Sequence, residues 1–132
     1  METIAKFLKD NHIFYLATTE GDQPRVRPFG AVCVHDGKLY ISTANQKPVS
    51  AQMKVNPKVE ISATTPDGGT WLRLTAQAVP HDSRDARQAM LNAVPALAGR
   101  YSADDGIFEV FYLQNATGII QPRSGQSEIH QF

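Results

Sequence analysis

The segment Arg25-Val26-Arg27-Pro28-Phe29 sets two guanidinium groups two residues apart, so an extended strand projects both from one face. Side by side they repel unless an anion lies between them; otherwise they sit on an exposed edge and are solvated. Lys47 immediately precedes Pro48, a residue suited to the first position of a helix. A cation at a helix start opposes the helix dipole. It becomes favourable when a phosphate docks on the free N–H groups there. One anion held by Arg25, Arg27, Lys47 and the helix start is the chemistry these residues suggest. A third segment, Trp71 to Gln77, turns Leu72, Leu74 and Ala76 one way and Trp71, Arg73, Thr75 and Gln77 the other. The second face is either ordinary exposed surface with one stray Trp, or it lines a ligand or subunit interface.

Other machinery is absent. His12, His35, His81 and His130 are scattered, without i,i+4 pairing or cysteine partners, so no metal site is expected. No serine lies in a nucleophile-elbow pattern and no Gly-rich phosphate loop appears. No catalytic side chain is singled out, which points to a cofactor that brings its own reactivity. Cys33, the single cysteine, falls in the apolar run Val32-Cys33-Val34 and reads as a small buried hydrophobe.

The elements that must position these residues fit one domain spanning 1–132. Hydrophobic residues make up 42% and charged residues 20%, which excludes disorder and a disulfide scaffold. Thirteen basic residues balance thirteen acidic ones, so no global field favours nucleic acid or an anionic membrane. The N-terminus lacks the basic-then-apolar layout of a signal peptide, and no apolar run approaches the ~20 residues of a membrane span. A soluble cytoplasmic protein is the expectation. Met1 to Asn11 predicts a short amphipathic helix, and Ile13 to Thr19 a strand. Arg25 to His35 predicts a second strand, closed by the hairpin signal Asp36-Gly37. Lys38 to Thr43 alternates, with Leu39 and Ile41 opposed to Lys38, Tyr40 and Ser42. A helix from Pro48 to about Val55 follows, then strands around Val59 to Ala63 and Trp71 to Val79. Asp82 or Ser83 caps a further helix interrupted by Pro95, and Tyr101 to Gly106 reads as a loop. Ile107 to Leu113 and Thr117 to Gln121 read as two last strands separated by Gln114-Asn115. The whole predicts a mainly β protein, a barrel of six to seven antiparallel strands with short peripheral helices.

Taken in order, these motifs resemble the FMN-binding split-barrel flavoproteins related to pyridoxamine 5'-phosphate oxidase. The resemblance runs from about Ile4 to Thr117. It rests on Arg25 to Phe29, Asp36 to Thr43, Lys47 with Gln52, Asn56-Pro57, and the spacing of Trp71, Leu74 and Gln77. In that family the strand matching Arg25, Val26, Arg27, Pro28 and Phe29 contacts the flavin ring through its backbone, and its first arginine reaches the phosphate. The position of Thr43 lies near the ring and that of Lys47 at the phosphate; the partner subunit contributes the strand holding Trp71 and Gln77. The resemblance implies a homodimer with FMN bound non-covalently at the subunit interface, and a small-molecule substrate. The implied activity is redox: hydride enters the flavin N5 from a reduced nicotinamide or similar donor and leaves to a small acceptor. A non-enzymatic FMN binder or electron carrier is the alternative, as is the same fold holding deazaflavin or haem. One departure is plain. The oxidase carries a lysine for its substrate's phosphate where this chain has Gly30, and a C-terminal arginine and histidine unmatched between Ser124 and Phe132. Oxidation of vitamin B6 phosphates is therefore not expected.

Overall fold

The computed structural model describes residues 1–132. Helix α1 (Glu2–Asn11) buries Ile4, Ala5 and Leu8, the stripe that the i, i+4 spacing dictates. Strands β1 (Phe14–Glu20) and β2 (Gln23–Phe29) form a hairpin, followed by β3 (Val32–His35) and β4 (Lys38–Ala44). Asp36 and Gly37 join the last two with φ of 49° and 71°, the pair of left-handed residues that a tight hairpin of this hand requires. Helix α2 (Pro48–Val55) starts at its proline, with Lys47 in extended conformation at the cap. Strands β5 (Lys58–Thr64) and β6 (Thr70–Pro80) precede helix α3 (Arg84–Ala93), whose cap Ser83 accepts a bond from the Ala86 N–H at 3.2 Å. A 3-10 turn, η1 (Pro95–Gly99), leads to β7 (Phe108–Pro122) and β8 (Glu128–Gln131).

The strands form one antiparallel sheet in the order β2-β1-β5-β6-β7-β4-β3, with β8 paired to β7. Its two ends are β2 and β3, which only Gly30 and Ala31 separate in the chain. Three residue steps span at most about 11 Å. The sheet must therefore curl until its ends nearly meet, and the result is a split barrel with its seam at Gly30-Ala31.

The structure differs from the expected strands at three points. The predicted strand Arg25 to His35 is two strands, broken at Gly30-Ala31 and lying on opposite edges of the sheet. The two predicted last strands are one, because Asn115 (φ 50°) makes a bulge opposite Thr75 and Gln77 rather than a turn. Strand β8 was not anticipated, so the barrel has eight strands. Strand β4 is buried on both faces: Leu39 and Ile41 enter the barrel interior, while Tyr40 lies under α3 in a second cluster with Cys33, Met90 and Val110. Tyr40 donates to or accepts from His81 Nδ1 at 2.8 Å in that layer. Cys33 is buried, as read, and burial pushes its thiol pKa up to about 11.

The interior cluster contains Ile4, Leu8, Phe14, Leu16, Ile61, Leu72 and Leu74. Gly118 on β7 is part of how α1 closes over it. A Cβ there would lie 2.5 Å from Ile4 Cδ1 and 2.9 Å from its Cγ1. Gly118→Ala is expected to destabilise the protein by about 1–3 kcal/mol, the usual overpacking cost, in a urea titration. An unchanged midpoint would show that α1 shifts freely.

Candidate functional site

The seam opens into a cavity of about 400 Å³. Pro28 to Ala31 line it, at the edge of the sheet where one side of β2 has no strand partner. Thr43 and Ser42 at the end of β4, and Val49 at the start of α2, form one wall. Leu97, Tyr101 and Phe108 form the other, Tyr101 and Phe108 with ring centroids 5.2 Å apart. Three cations reach the lining, Arg27, Lys47 and Arg100, and no aspartate or glutamate does. That imbalance defines the site electrostatically as one for an anion.

Lys47 occupies the cap of α2, where its own N–H bonds to Ala44 O at 3.0 Å and its carbonyl accepts the Ser50 N–H at 3.1 Å. Its ammonium pairs with no protein group. Pro48 has no N–H, so the Val49 N–H remains as a first-turn donor beside the lysine. Arg27 is held rigidly instead. Its guanidinium donates to Leu16 O at 3.0 Å and to Gln52 Oε1 at 2.7 Å. The same Gln52 oxygen accepts from Thr18 Oγ1 at 2.6 Å, so a buried glutamine fixes the arginine from α2. Burial, then the neighbouring charge of Arg25, lowers the pKa of Arg27 from its ordinary value.

Arg25 shares the face of Arg27, as an extended strand requires, but the anion beside it is a side chain. Glu20 accepts from Arg25 Nη2 at 2.9 Å. That hydrogen bond and the guanidinium's charge hold the Glu20 carboxyl below the usual carboxylate range. Of the predicted site residues, the cavity brings together Arg27, Pro28, Phe29, Thr43 and Lys47. Arg25 and Gln52 stand behind it, and Val26 is 67% exposed on the outer face. Trp71 and Gln77 lie on the outer face of β6. There Arg73 stacks over the Trp71 ring at 5.0 Å, and Gln77 Oε1 accepts from Asn115 Nδ2 at 3.1 Å. Nothing within one chain carries them to the cavity.

Arg100, Tyr101 and Phe108 escaped the sequence reading because they follow an interrupted helix. The signal was Asp105, three residues before Phe108. Its carboxylate accepts the N–H groups of Ser102, Ile107 and Phe108 at 2.8–3.0 Å, which hold its pKa low and lock the loop into a wall. A larger depression of about 740 Å³ lies on the far side of Phe108. Its lining carries Asp82, Asp104 and Glu109 against Arg87 alone, and each carboxylate has a cation already: Asp82 pairs with Arg87 at 2.7 Å, Asp104 with Arg84 at 3.0 Å and Glu109 with Lys54 at 2.6 Å. It offers an anion nothing, so the seam is the candidate site.

A curled sheet with an anion-seeking cavity at its split defines a split-barrel protein. The chain belongs to the flavin-binding pyridoxamine 5'-phosphate oxidase family, whose model matches residues 1–118. It is 48% identical to a NimC/NimA family protein from Clostridium acetobutylicum, with TM-score 0.96, covering 100% of this chain and 92% of that one. It is also similar in fold to general stress protein 26 from Bacillus anthracis, at 16% identity and TM-score 0.78, covering 99% and 97% of the two chains. A haem-binding protein from Mycobacterium smegmatis shares the fold at 18% identity and TM-score 0.71, over 96% of this chain and 56% of that one. No curated protein matches the chain. No helix is long and apolar enough to cross a membrane.

Proposed function

We propose that this chain is a homodimeric, cytoplasmic flavoprotein that binds FMN non-covalently at the seam and acts as an oxidoreductase. It passes electrons from a reduced nicotinamide or similar donor to a small acceptor. The observation that carries the reading is Lys47: an ammonium without a protein partner, at a helix start, in a cavity with no carboxylate. The residues fit the group. The volume lies within the ~300–1,000 Å³ range of small-molecule sites. Lys47 and the first turn of α2 would hold the phosphate, with Arg27 adding a fixed positive charge and Arg25 joining once it leaves Glu20. The free backbone edge of β2 and the Thr43 hydroxyl would orient the ring. When bound, FMN supplies the hydride chemistry. No side chain is assigned as a proton donor.

The test is the visible spectrum of the purified protein and the mass of the ligand it releases. Flavin bands and the mass of FMN support the reading. A haem spectrum, a deazaflavin, or no uptake of added FMN would overturn it.

The cavity is open to solvent, and one chain of 132 residues leaves one side of a flavin uncovered. The outer face of β6, with Trp71, Arg73 and Gln77, is proposed as part of the surface that the second subunit shares. Sedimentation at micromolar concentration should report twice the chain mass of 14.5 kDa. A monomer that binds FMN tightly would refute the shared site.

A further inference from the structure

The chain has seven arginines, and six of them have acceptors. Arg25 pairs with Glu20, Arg73 with Glu60, Arg84 with Asp104 and Arg87 with Asp82. Arg27 donates to Leu16 O and Gln52, and Arg123 to Asp67 O. Arg100 alone has none. Its guanidinium lies over the Tyr101 ring at 6.0 Å, and it lines the cavity at the seam. It enters from the wall after η1, whereas Arg27 and Lys47 come from β2 and the start of α2. The wall around it is apolar: Val94, Leu97, Tyr101 and Phe108.

We propose that Arg100 and this wall form the subsite for the second reactant, and that the class recognised is a small aromatic monocarboxylate. This rests on the FMN reading only in assigning Lys47 and Arg27 to the cofactor's phosphate. A planar guanidinium pairs with a carboxylate through two parallel N–H bonds, which matches one arginine to one monoanion. A phosphate dianion needs more donors than Arg100 supplies, because its desolvation must be compensated. The Tyr101 and Phe108 rings offer the stacking surface for an aromatic body. Gly30 and Ala31, with no long side chains, line the same cavity.

The experiment is calorimetric titration of the FMN-loaded protein, and of the FMN-free protein, with benzoate, benzamide and phenyl phosphate. Benzoate should bind about tenfold or more tighter than its neutral isostere benzamide, the weight of one charged hydrogen-bonded pair. Arg100→Gln should erase that preference while retaining FMN uptake and the melting temperature. Arg100→Lys, which keeps the charge and loses the fork, should restore only part of it. Equal binding of benzoate and benzamide would overturn the proposal, as would a preference that survives Arg100→Gln. Phenyl phosphate binding tighter than benzoate would overturn the carboxylate assignment. If no FMN is taken up, the cofactor reading fails, and the titration of the FMN-free protein still decides the role of Arg100.

Discussion

Lys47→Ala is expected to weaken FMN binding about tenfold to a hundredfold, the loss of one charge-assisted contact of about 1.5–3 kcal/mol. Riboflavin, which lacks the phosphate, loses about twofold or less because the contact was never made. The contrast is what makes the variant informative. Lys47 is a cap residue without a protein partner, so truncating it breaks no internal bond and leaves the Pro48 helix start in place. Arg27→Ala is a poorer probe, since it also removes the hydrogen bonds to Leu16 O and to Gln52 Oε1, leaving the latter only Thr18 Oγ1 as a partner. Arg25→Ala is expected to fall below Lys47→Ala in effect, because binding through Arg25 first requires breaking its pair with Glu20. Fluorescence titration with both ligands measures all three. Equal losses of FMN and riboflavin for Lys47→Ala would show that the lysine does not hold the phosphate.

Pyridoxine and pyridoxamine 5'-phosphates are expected to be turned over at least a thousandfold below the typical enzyme rate of ~10 per second. The family takes its description from that oxidation, yet the cavity lacks the parts for it. A phosphorylated substrate beside FMN places two phosphate groups in one cavity. Under the proposed reading Lys47 and Arg27 would serve the first, and of the cations lining the cavity only Arg100 would remain for the second. Gly30 adds no charge, and a Cβ there would meet His12 O at 3.7 Å and Ile13 Cδ1 at 3.9 Å, neither of which lines the cavity. The assay supplies each vitamer to the FMN-loaded protein under air and follows pyridoxal phosphate. Turnover near the typical rate would restore the oxidase as the function.

What the sequence by itself determined is local. Pro48 set the start of α2, because its missing N–H costs nothing at that position. Asp36-Gly37 set the β3–β4 turn, because the pair tolerates left-handed backbone. The alternation of Leu72, Leu74 and Ala76 decided which face of β6 is buried, and the Arg25 and Arg27 spacing decided that both share a face. The family motifs carried the assignment of Lys47 and Thr43. The tertiary structure decided the rest, because long-range pairing overrides local pattern. Only the closing of the sheet shows why Arg25 to His35 must break at Gly30-Ala31: its halves pair with different strands at opposite ends of the path. Only α3 packing on the outer layer explains why Tyr40, which alternation turns away from Leu39 and Ile41, is buried as well. Which cation is free to meet a ligand was likewise illegible, since a guanidinium's partner depends on what the fold brings beside it. Glu20 satisfies Arg25, Gln52 satisfies Arg27, and only the folded chain leaves Lys47 and Arg100 facing one cavity without a counter-charge.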